Sequence, residues 1–127
     1  MNKFFITLVL ALGLSGCASV VEKIPSFWDD NQSARIINVR QMVEQIDCEK
    51  PQFDQVQLVA RELRWFELYS ESKGSRQHDV IVLVEPMKKT VAAWLERKEG
   101  SKSYCEIKKT LLTTQAKTAA VAVLGRF

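Results

Sequence analysis

The stretch Val80-Ile81-Val82-Leu83-Val84-Glu85-Pro86-Met87 decides how the whole chain is read. Five consecutive aliphatics, three of them valine, suit a buried β-strand. A wider window favours a helix, because Val80, Val84, Met87, Val91 and Trp94 or Leu95 recur every three or four residues. Glu85 and Lys89 add a favourable i,i+4 pair. No second stretch offers a strand for this one to pair with. The pattern predicts a helix from Asp79 to Lys98, N-capped by Asp79, kinked at Pro86 and stopped by Gly100.

Outward from this stretch, the remaining segments read as helices too. Ile36, Val39, Val43 and Ile46 form an apolar stripe, widened by Ile37 and Met42, after the capping residues Asp29-Asp30-Asn31. That helix ends near Cys48, and Pro51 starts the next. The second helix runs from Gln52 to Lys73 with Val56, Val59, Leu63 and Phe66 on one face and Gly74 as its stop. Leu58, Trp65, Leu68 and Tyr69 fall off that stripe, so this helix is apolar around more than half its circumference. The fourth opens at Ser101-Lys102-Ser103, where Ser103 and Glu106 match a capping box. Tyr104, Ile107 and Leu111 form its expected early stripe, Ala116 to Leu124 a close-packing end, and Gly125 its stop. The fold class expected is all-α: an up-down-up-down four-helix bundle over residues 31–127.

In that topology the end of helix one and the start of helix four share one end of the bundle. Cys48 and Cys105 sit at those two places, and a disulfide between them is expected. Pairing and topology therefore support each other.

Residues 1–30 read differently. Lys3 precedes an apolar run from Phe4 to Leu14, the layout of a secretory signal and shorter than the roughly 20 residues a bilayer span needs. Leu14-Ser15-Gly16-Cys17 resembles the lipobox of bacterial lipoproteins at all four positions. The resemblance implies lipidation of Cys17, cleavage before it, residues 1–16 as a signal peptide, and residues 17–30 as a lipidated tether. In that family Asp after the cysteine marks inner-membrane retention; here Ala18-Ser19 follows, which implies the periplasmic face of the outer membrane. The tether holds the domain within about 45 Å of the lipid. The segments 24–30, 105–109 and 123–127 also resemble small lipoproteins encoded by large tailed phages of marine bacteria.

Composition narrows the function classes. The net charge is +3, and loss of Lys3 with the signal leaves +2, so nothing points to nucleic acid as a partner. His78, the single histidine, lies in the polar segment Ser75-Arg76-Gln77-His78. Its neighbour Asp79 and the serines nearby lack the spacing and nucleophile turn of a catalytic triad. One histidine and two distant cysteines do not spell a zinc site, and the isolated glycines do not spell a phosphate loop. Neither a metal nor a cofactor is expected. Glu62, Glu67 and Glu71 alternate with Arg61, Arg64 and Lys73 as on a solvated helix face.

The aromatics carry the remaining signal. Phe66 and Trp94 read as core, whereas Trp65 and Tyr69, which lie off the stripe, and Trp28 are candidate partner-binding residues; Trp28, close to the lipid, also suits a membrane interface. The function expected is a non-catalytic binding or scaffolding lipoprotein, anchored in the membrane by lipid, whose bundle meets another envelope protein. The alternative is a phage-encoded envelope effector, either an outer-membrane spanin subunit in lysis or a superinfection-exclusion lipoprotein. Spanin subunits of that kind are short and proline-rich, whereas only Pro51 and Pro86 fall within this domain.

Overall fold

In a computed structural model, which describes residues 29–74 and 77–126, the chain forms four helices: α1 (Asp30–Glu44), α2 (Gln52–Ser72), α3 (His78–Glu96) and α4 (Lys102–Leu124). The expected signal peptide, Cys17 and Trp28 lie outside the described residues, as does most of the expected tether. The segment that opened the sequence reading is helical. Val80 and Val84 are fully buried while Val82 between them is exposed, which period-two alternation forbids and a helix requires. Pro86 is accommodated within α3.

Each helix packs on its two neighbours, α1 on α2, α2 on α3, α3 on α4 and α4 on α1, closing a four-membered ring. The directions alternate. Arg126, just past α4, donates to Gln32 at the start of α1 (2.7 Å), while Lys109 near the start of α4 donates to the Ile46 carbonyl past the end of α1 (2.6 Å). Cys48 and Cys105 are disulfide-bonded at that second end, with Cα atoms 5.7 Å apart. The up-down-up-down bundle and its disulfide are thus as expected.

The core runs along the ring's axis. Ile36, Val39, Val43 and Ile46 meet Val56, Val59, Leu63 and Phe66, then Val80, Val84, Met87, Val91 and Trp94. Burying an aliphatic side chain of this size contributes about 1.5–3 kcal/mol. Trp94 is the largest buried side chain, and its indole N–H donates to Gln52 Oε1 (3.1 Å), so the deepest aromatic is also satisfied as a donor.

Several local expectations are corrected. α3 is entered through Gln77 with no side-chain cap, and Asp79 sits inside the first turn, where its carboxylate faces the helix dipole. The turn after α3 is made by Arg97 and by Lys98 in the left-handed region (φ 58°) rather than by Gly100. Gly100 serves close approach instead, since a Cβ there would lie 2.4 Å from the Tyr104 ring. α4 is capped by Ser101, which accepts from the Tyr104 N–H (3.1 Å), rather than by Ser103.

The largest correction concerns the face of α4. Its buried residues are Cys105, Leu112, Ala116, Ala119, Ala120 and Val123, whereas Ile107 and Leu111 are exposed. The disulfide fixes the phase: with Cys105 turned inward, Ile107 stands roughly 200° further round a helix of 3.6 residues per turn.

Pro51 supplies no side-chain cap to α2. The carboxylate of Glu99, from the loop joining α3 to α4, accepts instead from the N–H groups of Gln52 (3.0 Å) and Phe53 (3.2 Å). Two of the donors that every helix start leaves open are thereby met from across the bundle.

Candidate functional site

The off-stripe residues of α2 converge on one outward face between α2 and α1. Leu58, Trp65 and Leu68 are 50%, 37% and 47% exposed. With Met42 of α1, and with Arg61, Glu62 and Arg64, they line an open groove of about 480 Å³. Leu58, Trp65 and Leu68 follow each other at seven and three residues, so they share one side of the helix by the same periodicity that buries Val56, Val59, Leu63 and Phe66 on the other.

The aromatic centre of this face is held in place. Trp65 and Tyr69 stack with centroids 4.9 Å apart and planes 9° from parallel, one helical turn apart. The Arg35 guanidinium covers the Trp65 ring at 4.3 Å and also pairs with Glu62 (3.0 Å). The Tyr69 hydroxyl accepts from Asn31 (3.0 Å) and donates to Asp29 (3.2 Å), while the Lys73 ammonium lies 5.5 Å from its ring. Asp29 is held below the usual carboxylate range despite the opposing effect of burial, because the Gln32 N–H, Lys73 and Tyr69 all favour its charged form. The structure therefore brings together Trp65 and Tyr69 and gives them different parts: Trp65 offers surface, and half-buried Tyr69 braces it.

A second feature lies on the other side of α2, against α3. Ala60, Leu63, Val91, Ala92 and Leu95 line a crevice of about 180 Å³, closed at one end by Arg64, Glu67 and Lys88. Glu67 was expected on a solvated face and is in fact buried. Its carboxylate accepts from Lys88 and from Arg64 (2.7 Å). The bond from Lys88 holds the Glu67 carboxyl below its ordinary range and, reciprocally, holds the Lys88 ammonium above its own.

A depressed carboxylate adds stability above its unfolded pKa and loses it as pH falls through the lower folded value. Glu67→Gln is accordingly expected to cost about 1–2 kcal/mol at pH 7, as a largely buried charge-assisted pair is weakened. The gap from the wild type should close as pH drops below the ordinary glutamate range. Thermal melts of both proteins at stepped pH check this; a gap that stays constant into strong acid would refute it.

His78 is exposed at the first residue of α3. Among the described residues no cluster of three or more His, Cys, Asp or Glu is placed to hold a metal ion, and no helix is long and apolar enough to cross a membrane. Comparison with known proteins finds no match to this chain among family models, curated proteins or solved structures.

Proposed function

We propose that this protein is an outer-membrane lipoprotein on the periplasmic face, anchored through Cys17, whose bundle is a non-catalytic binding module for another envelope protein. The observation that carries the binding reading is the exposed Leu58-Trp65-Leu68 face. Monomeric domains normally keep such apolar side chains dispersed, and a contiguous group rimmed by polar residues marks an interaction surface. Trp and Arg are also the residue types that dominate binding hot spots. The lipobox supports the anchoring, and the Cys48–Cys105 bond accords with an oxidising compartment.

The rim indicates the partner's chemistry. Of the rim charges, Glu62 is engaged by Arg35 and Arg64 by Glu67, while Arg61 has no ion-pair partner among the described residues. A complementary surface presents an apolar anchor to the groove and a carboxylate to Arg61.

A photo-crosslinking amino acid at Leu68, in protein expressed in its own envelope, tests the reading. One discrete adduct is expected, and Trp65→Ala should cut its yield at least tenfold, as removal of a hot-spot aromatic does. The same substitution should cost about 1–2 kcal/mol, from the lost Tyr69 stack and Arg35 contact, and leave the bundle folded, since Trp65 lies outside the core. No adduct at Leu68, or an adduct indifferent to Trp65→Ala, would defeat the proposal.

A further inference from the structure

The outward face of α4 is a second unpartnered surface, distinct in position and chemistry from the α2 face. Ile107 and Val121 are 68% and 72% exposed, with Leu111 between them. Thr110, Thr114 and Thr118 form a ridge along the same face. Their hydroxyls donate to the carbonyls one turn earlier, of Glu106, Thr110 and Thr114, at 2.9, 3.1 and 3.0 Å. Hydroxyls so engaged have spent their single donor and can only accept, so the ridge offers a partner methyl groups and weak acceptors but no side-chain donor. Among the exposed positions from 107 to 121, Lys117 is the sole charge.

Two opposite charges border this face on one flank: Glu106 near its start and Lys117 near its end. Neither forms a salt bridge among the described residues, and Lys102, one turn before Glu106, interacts with it through space while pairing with Glu49. They stand eleven positions apart, about 16 Å along the axis, too far to meet within one helix. In an antiparallel helix pair, residues on the same flank of the two helices face each other, whereas in a parallel pair opposite flanks meet. An antiparallel copy centred beside Leu111 therefore sets each Glu106 against the other copy's Lys117, twice over, while Ile107, Leu111, the threonine ridge and Val121 fill the seam. Opposed helix dipoles favour the same arrangement.

We infer that the occupant of this face is a second copy of the chain, docked through α4 in an antiparallel, two-fold pair locked by reciprocal Glu106–Lys117 contacts. A seam of one helix on one helix buries less than the roughly 800 Å² per partner of a standard interface, so the pair is weak and concentration-dependent. This inference does not depend on the lipid anchor or on the α2 face.

Full-length protein in mild detergent, carrying one added cysteine on α4, tests it by oxidative crosslinking on a non-reducing gel, with unsubstituted protein as the background. In the inferred pair the two Leu111 positions adjoin, whereas the two Val121 positions stand about 28 Å apart along the axis. Leu111→Cys should therefore form covalent dimer far faster than Val121→Cys. In the Leu111→Cys protein, Glu106→Lys should slow crosslinking about tenfold by replacing two attractions with two repulsions. Adding Lys117→Glu should restore it. Circular dichroism confirms that each variant is folded. Equal crosslinking at both positions, no crosslinking above background, or failure of the double charge exchange to restore the rate would each overturn the inference.

Discussion

Replacing Cys48 and Cys105 together by alanine is expected to remove about 4 kcal/mol of stability, the chain-entropy value for a closed loop of this length. The bond joins residues 57 apart and ties the turn after α1 to the first full turn of α4. Against a total of about 5–15 kcal/mol for a domain of this kind, that is a large share, and the thermal midpoint should fall by roughly 20 °C. Helical circular dichroism at room temperature should nevertheless persist. The α1–α4 seam is also closed at its other end by Arg126 on Gln32, and Lys109 holds the Ile46 carbonyl beside the bridge itself. Reduction of the native protein should reproduce the loss. A midpoint unchanged by both treatments would show that the bond contributes nothing to stability. A structural role is expected of it: Cys105 is fully buried, although Cys48 is partly exposed, and the two are far from the Cys-x-x-Cys spacing of redox pairs.

The same bond explains which parts of the fold were legible in the sequence. The stripes of α1, α2 and α3 are built from valine, leucine, isoleucine and phenylalanine on one face each, so periodicity alone identified Val39, Leu63 and Val84 as core. α4 carries two apolar stripes almost opposite each other. Ile107, Leu111 and Val121 lie outside, while Cys105, Leu112, Ala116, Ala119, Ala120 and Val123 lie inside, where the alanines let neighbouring helices approach. In the first turns, where Ile107 and Leu111 stand out, hydrophobicity points to the wrong stripe. Only the disulfide constraint, applied to the phase of the helix, would have chosen correctly.

Long-range polar contacts were illegible for a different reason: their partners are distant in the chain. Glu99 caps α2 from another loop, and Gln77 cannot serve α3 as a side-chain cap because its amide oxygen accepts from Gln32 (3.1 Å) and Arg126 (3.3 Å). Gln32 itself also donates to Ser70 (3.0 Å), completing a buried polar end to the bundle. Glu67 belongs to the same class, since nothing local to α2 announces that Lys88 will reach it. The α2 face was legible in part: Trp65 and Tyr69 stood out by leaving the stripe. Their division into an exposed plate and its brace depends on Asp29 and Asn31, which only the antiparallel packing of α1 brings near.

Cys17→Ser is expected to have the largest effect of any single substitution on where the protein resides. A thioether to diacylglycerol needs a sulfur nucleophile, and the serine hydroxyl, essentially un-ionised near neutral pH, does not replace the thiolate. Processing in the lipoprotein family follows that modification, so the variant should accumulate as an uncut precursor or appear in the soluble fraction. In the mature protein, by contrast, each acyl chain contributes about 0.8 kcal/mol per buried methylene, and two or three chains on one residue give firm anchoring where a single chain gives only reversible binding. None of the described helices offers a substitute span. Membrane fractionation and intact-mass measurement of wild type and variant decide the matter: a mature wild-type mass of the chain from Cys17 onward plus acyl groups is expected, with none on the variant. Unaltered membrane association and processing of Cys17→Ser would refute the lipoprotein reading. The α2 groove, the α4 seam and the disulfide would stand, because each rests on the packing of residues 29–126 alone.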